Sequence, residues 1–233
     1  MNTAIIVAAG SGSRFGGDIP KQFADLAGKP VIIHTLEQFE ECPAVDEVIL
    51  VLGENGREDF ERLSLGGSFR KLSKLVTGGA TRAQSVKSGL DQVDPSCEIV
   101  AVHDGARPLV TVDEITRTIE KAADTGAACL VAEVTDTVKQ IEGDKIRSTV
   151  DRSTLRRALT PQAFRIDILR SAFENANLSD AVTDECYLVE KLGIDIALVE
   201  GSPRNIKITR EDDLAIADAF LKGAVSIQPS AVS

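Results

Sequence analysis

The chain is poor in the residues that carry chemistry on their own. Its 233 residues hold only two histidines, His34 and His103. The four cysteines, Cys42, Cys97, Cys129 and Cys186, are scattered with no C-x-x-C spacing. That removes zinc and dithiol motifs and leaves no support for papain-like or caspase-like catalysis, so the thiols read as small buried hydrophobes. Basic residues are outnumbered, 26 against 36 acidic, for a formal charge of -10. A chain of that sign has no net attraction to replace the counterions released from DNA or RNA. Nucleic acid is therefore excluded as a partner, and any phosphate site must be local. Long apolar runs are missing too: Val48 to Leu52 and Ile99 to Val102 fall far short of the ~20 residues of a membrane span. Met1-Asn2-Thr3 leads straight into Ala4-Ile5-Ile6-Val7 with no basic stretch before it. The expectation is a cytoplasmic protein whose first strand is buried.

What is present is alternation. Strand-length apolar runs recur at Ala4 to Ala8, Glu47 to Leu52, Lys74 to Thr77, Glu98 to His103, Ala127 to Val134 and Asp195 to Glu200. Between them, helical spacing predicts helices at Val31 to Glu41, Gly56 to Leu65, Ala80 to Gln92, Val112 to Thr125, Ile166 to Ala176, Asp184 to Leu192 and Glu211 to Lys222. This pattern implies an α/β fold, a Rossmann-like, mostly parallel sheet with helices on both faces. Thr209 with Asp212 reads as a capping box for the last helix, and Thr183-Asp184-Glu185 as a similar start. One stretch breaks the alternation. Val138 to Glu142 and Lys145 to Val150 flank Gly143-Asp144, a turn that joins two polar strands into a hairpin. With little apolar surface of its own, residues 136–157 read either as an ordinary surface hairpin or as a projecting arm that packs on another copy of the chain. Residues 1–222 form one domain in this reading, and 223–233 a flexible tail.

The first strand runs into Ala8-Ala9-Gly10-Ser11-Gly12-Ser13-Arg14-Phe15-Gly16-Gly17, then Pro20-Lys21-Gln22. The dinucleotide fingerprint G-x-G-x-x-G fails at Phe15, and the Walker pattern fails because Asp18 follows Gly17. What remains is a glycine loop at a strand's carboxyl end with two cations, Arg14 and Lys21, in it. That composition suits a local anion cradle, although glycine-serine turns with solvated cations are also common. Gly78-Gly79-Ala80-Thr81-Arg82 with Ser85, His103-Asp104-Gly105-Ala106-Arg107 and Asn205-Ile206-Lys207-Ile208-Thr209 end other strands. In an open α/β sheet such ends converge on the ligand. Each cation there also has a plain reading as surface charge, and Asp104 as a turn former.

Taken in order, these segments, with Asp136-Thr137-Val138-Lys139, Asp151-Arg152, Leu159-Thr160-Pro161-Gln162, Thr183-Asp184-Glu185 and Val199-Glu200-Gly201, closely resemble the 2-C-methyl-D-erythritol 4-phosphate cytidylyltransferases. The likeness covers about residues 3 to 222. It implies the nucleotidyltransferase fold and transfer of a cytidylyl group from CTP to methylerythritol phosphate, with release of pyrophosphate, in the non-mevalonate route to isoprenoids. By the same resemblance, Arg14 and Lys21 stabilise charge developing on the triphosphate. Lys207 and Arg152 position the attacking phosphate, with Arg152 and Thr137 delivered by the arm of a second subunit in a homodimer. Asp104, Arg107 and Thr160 line the sugar-phosphate side, and Ala8, Ala9, Gly10, Gly12, Gly79, Ala80, Arg82, Ser85 and Asp104 hold the nucleotide. Mg²⁺ or another divalent cation is implied, held mainly by the CTP phosphates; Asp104 suits either the metal or a sugar hydroxyl. The nearest alternative is a ribitol 5-phosphate cytidylyltransferase of teichoic acid synthesis. A nucleotide sensor without activity is the other, and it would have shed one of the four cations Arg14, Lys21, Arg152 and Lys207.

The chemistry agrees with the residue inventory. A phosphate monoester has its second pKa near ~6, so its oxygens are already nucleophilic anions at neutral pH. No general base is needed, and cations do the remaining work.

Overall fold

The structure, a computed structural model, describes residues 1–10, 15–16, 19–63, 69–177 and 182–223. Gly12, Arg14 and the tail from residue 224 lie outside the described residues, as does the expected end of the second helix at Leu65. In chain order the elements are β1 (Asn2–Ala8), β2 (Asp25–Leu26), β3 (Lys29–Pro30), α1 (Val31–Glu41), β4 (Glu47–Leu52), α2 (Gly56–Leu63), β5 (Leu72–Thr77), α3 (Arg82–Leu90), β6 (Ile99–Asp104), α4 (Val112–Thr125), β7 (Ala127–Glu133), β8 (Lys139–Glu142), β9 (Lys145–Thr149), β10 (Arg156–Arg165), α5 (Ile166–Glu174), α6 (Glu185–Glu190), β11 (Ala197–Glu200) and α7 (Asp212–Leu221). Seven strands form the main sheet in the order β11-β7-β10-β6-β1-β4-β5.

The near-continuous apolar strands are those of a sheet covered on both sides. Ile5, Ile49, Val51, Val100, Val102 and Cys129 point to one face, against Val86 and Leu90 of α3 and Leu169 and Phe173 of α5. Their neighbours Ala4, Ile6, Val48, Leu50, Ala101 and Leu130 point to the other, against Ile32, Leu36 and Phe39 of α1 and Ile115 and Ile119 of α4. The two-residue period of a strand produces this division directly. A smaller cluster of Leu26, Val31, Ala106, Ile208 and Ala217 seats α7 against the β2–β3 turn. No helix among the described residues is long and apolar enough to cross a membrane.

Two expectations need correction. The reading missed β10, the one antiparallel strand of the main sheet, which pairs with β6 through Gln162–Arg165 and with β7 through Arg156–Ala158 and Gln162–Phe164. Pro161, behind a cis peptide bond from Thr160, lies where the register with β7 breaks between Ala158 and Gln162. A proline inside a run demotes it as a strand by sequence, and an irregular register is the place where a sheet accepts one. The capping box at Thr209 and Asp212 also fails. Asp213 instead accepts from the main-chain N–H groups of Thr209, at 2.7 Å, and Arg210, at 2.8 Å. Reciprocal boxes occur at Thr81/Gln84 and Thr111/Glu114, and Asp184 caps α6 through the Tyr187 N–H at 3.0 Å.

The hairpin is present. β8 and β9 pair only with each other, in their own sheet, and every residue of both strands is exposed. Ile141 and Ile146 are register partners across it and stand 67% and 66% exposed.

Candidate active site

All the parallel strands of the main sheet end at one edge, where β1, β5 and β6 open a pocket of about 430 Å³. Its wall is largely main chain and small side chains: Ala8, Ala9 and Gly10 after β1, then Gly79, Ala80 and Ser85 around the start of α3. Close approach of these two loops depends on Gly78. A Cβ there would meet the Ala9 Cβ at 2.5 Å and the Ser85 Oγ at 2.7 Å. Ser85 donates to the Thr81 carbonyl at 2.9 Å and accepts from the Gly79 N–H at 3.2 Å. Lys21 reaches the pocket from a single 3₁₀ turn, Lys21–Phe23. Its neighbours fix that turn: Gln22 Nε2 donates to the Ala8 carbonyl at 2.8 Å, and Phe23 is buried in the core.

The far side is electrostatic. Asp104, the last residue of β6, is 6% exposed and meets three cations. Arg82 Nε donates to its Oδ1 at 2.9 Å, Lys207 Nζ lies 2.9 Å from Oδ2 and Arg107 Nε 3.5 Å from Oδ2. Burial alone would raise this carboxyl's pKa, but Arg82, Lys207 and Arg107 outweigh it and hold Asp104 far below the usual carboxylate range. Asp104 is ionised at any working pH. Arg82 also donates to Glu185 Oε1 at 2.6 Å; burial works against its charge, but the two carboxylates prevail and raise its pKa. Arg107 Nη1 donates to the Asn205 carbonyl at 2.8 Å, and Asn205 Nδ2 to the Thr160 carbonyl at 3.0 Å. The loop that carries Lys207 is thereby tied to β10.

Thr160 is placed by a polar chain that also settles the tautomer of His103. The carbonyl of Arg107 can only accept, so His103 Nε2, 3.3 Å away, carries the proton. Burial pushes the ring's pKa down to about 3, so the ring is neutral and Nδ1 accepts from the Thr160 hydroxyl at 3.0 Å. The same hydroxyl accepts from the Asp104 N–H at 3.1 Å. A measurable consequence follows from linkage. Below about pH 6.5 the unfolded chain binds a proton at His103 that the folded chain refuses until about pH 3, so stability falls as pH falls through that window. Between pH 7 and 4.5 the loss from this ring is about 3 kcal/mol, from roughly 1.36 kcal/mol per pH unit. Urea unfolding across that range should show it, and His103→Gln should flatten the slope whatever its own stability.

The structure brings together Ala8, Ala9, Gly10, Lys21, Gly79, Ala80, Arg82, Ser85, Asp104 and Lys207 in one lining, with Arg107 and Thr160 directly behind Asp104. Arg82 does not present a bare cation, since its fork is engaged by two carboxylates. Thr137 and Arg152 do not reach the pocket within the chain. Both are exposed, and Arg152 Nη1 donates to the carbonyl of Thr135. Sequence reasoning passed over Gln22, His103, Glu185 and Asn205 as site residues. Glu185 had a signal, an acid next to Thr183-Asp184, but a helix start explained it equally well.

A profile of the family described as IspD, 2-C-methyl-D-erythritol 4-phosphate cytidylyltransferase, matches residues 2–223. The chain is 45% identical over 220 residues to the 2-C-methyl-D-erythritol 4-phosphate cytidylyltransferase of Bacillus velezensis, covering 94% of each. Its fold is similar to that of the 4-diphosphocytidyl-2C-methyl-D-erythritol synthase of Anaerococcus prevotii, with a TM-score of 0.83 at 29% identity over 95% of this chain and 96% of that one. It is also similar to the 2-C-methyl-D-erythritol 4-phosphate cytidylyltransferase of Francisella tularensis, with a TM-score of 0.77 at 36% identity over 93% of this chain and 98% of that one. With the profile match spanning the sheet, the pocket and the arm alike, the chain belongs to the 2-C-methyl-D-erythritol 4-phosphate cytidylyltransferase family.

Proposed function

We propose that the chain transfers the cytidylyl group of CTP to the phosphate of 2-C-methyl-D-erythritol 4-phosphate, giving 4-diphosphocytidyl-2-C-methyl-D-erythritol and pyrophosphate on the non-mevalonate route to isoprenoids. The observation that carries this reading is the meeting of Lys21, Lys207 and the Asp104 cluster with the main chain of residues 8–10 and 79–80 in one pocket. An oxygen of the acceptor phosphate attacks the α-phosphorus, a new P–O bond forms, and the bond to the β-phosphate oxygen breaks. The acceptor is already an anion at neutral pH, so the barrier lies in gathering negative charge. Lys21 stabilises that charge on the triphosphate side and Lys207 aligns the attacking phosphate. Asp104 keeps Lys207 in place and offers an acceptor to a sugar hydroxyl, with Arg107 and Thr160 behind it. Main-chain groups of Ala8, Ala9, Gly10, Gly79 and Ala80, with Ser85, hold cytosine and ribose. Arg14 and Gly12 belong to the same loop by resemblance.

For a divalent ion the described residues offer little. No three His, Cys, Asp or Glu come together among them, and both oxygens of Asp104, the one acid in the lining, already face cations. We therefore assign Mg²⁺ to the oxygens of CTP, which suits an ion that keeps water and phosphate ligands. The protein is read as cytoplasmic, in keeping with four buried free thiols.

The test is pyrophosphate release from CTP and Mg²⁺, with methylerythritol 4-phosphate and ribitol 5-phosphate compared as acceptors. Preference for the first is expected; preference for the second, or release with neither, overturns the reading. We also read residues 136–157 as a dimerisation arm that delivers Thr137 and Arg152 to a partner's pocket, supported by the exposed Ile141–Ile146 pair. In that arrangement Lys21→Ala and Arg152→Ala subunits, each inactive alone, complement each other. Random mixing of the two should restore about one intact site in four, because each mixed dimer holds one unaltered pocket. No recovery in verified mixed dimers would overturn the delivery of Arg152 to a partner's pocket.

A further inference from the structure

Three buried side-chain polar atoms among the described residues lack a hydrogen-bond partner: Arg107 Nε, Glu185 Oε2 and Asn205 Oδ1. Arg107 touches Asp104, Glu185 holds Arg82, and Asn205 ties the Lys207 loop to β10. Buried unpaired groups in a native fold are rare enough to need a reason. Glu185 is the one among them that the transfer chemistry leaves without a role. It is fully buried, its Oε1 on Arg82 and its Oε2 on nothing. Burial raises its pKa, and Arg82 works against that rise.

Its anchoring is unusually firm. On one side, Asp184 accepts from Gln162 Nε2 at 2.9 Å and from the Tyr187 N–H at 3.0 Å. On the other, the Cys186 N–H donates to Gln162 Oε1 at 3.1 Å. Glu185 therefore projects from a point tied to β10, while Arg82 projects from the capped start of α3. A guanidinium is a rigid planar fork whose direction is set by what holds both prongs. Held by Glu185 through Nη1, it gives Asp104 its Nε–H alone, and the adjacent Nη2 makes no bond to Oδ2. Without Glu185 it would be free to shift along its Nε/Nη2 edge and clasp both oxygens of Asp104 with two parallel bonds, the stronger geometry, and so compete with Lys207 for Oδ2.

We infer that Glu185 is a positioning residue: through Arg82 it holds the Asp104 carboxylate so that Oδ2 remains with Lys207. The inference rests on the cytidylyl-transfer reading for what Asp104 and Lys207 then do. It separates alignment from affinity. Neutralising Glu185 makes the pocket more positive, which does not weaken binding of a polyanionic nucleotide, yet it lets Asp104 and Lys207 drift apart.

Glu185→Gln is accordingly expected to lower kcat about tenfold, a coupling typical of residues in one polar network. The Kd for CTP, by calorimetry, stays the same or tightens. In an Arg82→Gln background the same change adds no further loss, because Glu185 acts through Arg82. Wild-type kcat in Glu185→Gln, equal losses of CTP affinity and turnover, or losses that multiply in the double variant would each overturn the inference. Should Glu185→Gln not fold, Glu185→Asp keeps the charge on a shorter reach and should show the same split. If the unaltered chain transfers nothing, it is the functional reading that has failed. Hydrogen exchange at the Lys207 ammonium, read by nitrogen-15 NMR, still decides the inference: faster exchange in Glu185→Gln than in the unaltered chain supports it, and no difference between the two sinks it.

Discussion

Lys21→Ala is expected to lower kcat by about 10² to 10³-fold, the usual cost of removing one preorganised group that stabilises transition-state charge, while leaving the fold intact. The local anchoring is what keeps those two outcomes apart. Lys21 is partly exposed, and the turn that carries it is held by Gln22 on the Ala8 carbonyl and by buried Phe23, neither of which the substitution touches. The change in stability should be within about 1 kcal/mol, the range for a partly exposed charged side chain and its contacts. Single-turnover pyrophosphate release and a urea titration make the comparison. Undiminished turnover would remove Lys21 from the chemistry, and unfolding would show that the turn depends on it. Lys21→Arg should restore only part of the rate, because a planar fork does not replace a compact ammonium.

Asp104→Ala should act in the opposite way and damage the fold as well as the reaction. It leaves Arg107 and Lys207 without their carboxylate, and Arg82 with Glu185 alone. Removing one partner from a buried ionic cluster typically costs about 3–5 kcal/mol, mostly the penalty of stranding the other charges. The urea midpoint at pH 7 is the measurement. A loss below about 1 kcal/mol would mean that the three cations find water or one another's partners without difficulty. Asp104→Asn keeps the shape but not the charge and should fall between the two. Because the native carboxyl titrates far below neutrality, the wild-type contribution is complete above the ordinary carboxylate range and is lost only as pH falls well beneath it.

How much of this was legible in the sequence depends on the range of the interaction. The strand and helix alternation came through because burial on both sheet faces imposes apolar runs that composition records. The pocket's main-chain wall was legible through Gly10 and Gly78-Gly79, and the cations through their positions at strand ends. β10 was not, since Arg156-Arg157 at its start and Pro161 within it carry the marks of a loop, and only its place between β6 and β7 makes it a strand. The Asp104 cluster was legible as separate residues but not as one unit. Its members come from positions 82, 104, 107, 185 and 207, and no local pattern says that Glu185 faces Arg82 rather than solvent. Lys207 and Asp104 were each assigned a substrate; their pairing with each other is visible only in three dimensions.

The reversed strand has a consequence for how the chain can vary. Arg156, the first residue of β10, pairs with Glu133, the last of β7, so residues 134–155 leave the sheet and return to it at adjacent points on the functional edge. Had β10 run parallel, its amino end would lie about 30 Å away, at the other end of a ten-residue strand. An excursion whose two ends are already clamped side by side is closed by the sheet itself. Doubling its length costs only about 0.6 kcal/mol in chain entropy. The stretch that contains Thr137 and Arg152 is therefore free to lengthen, shorten or change its tip while the seven strands behind it keep their register.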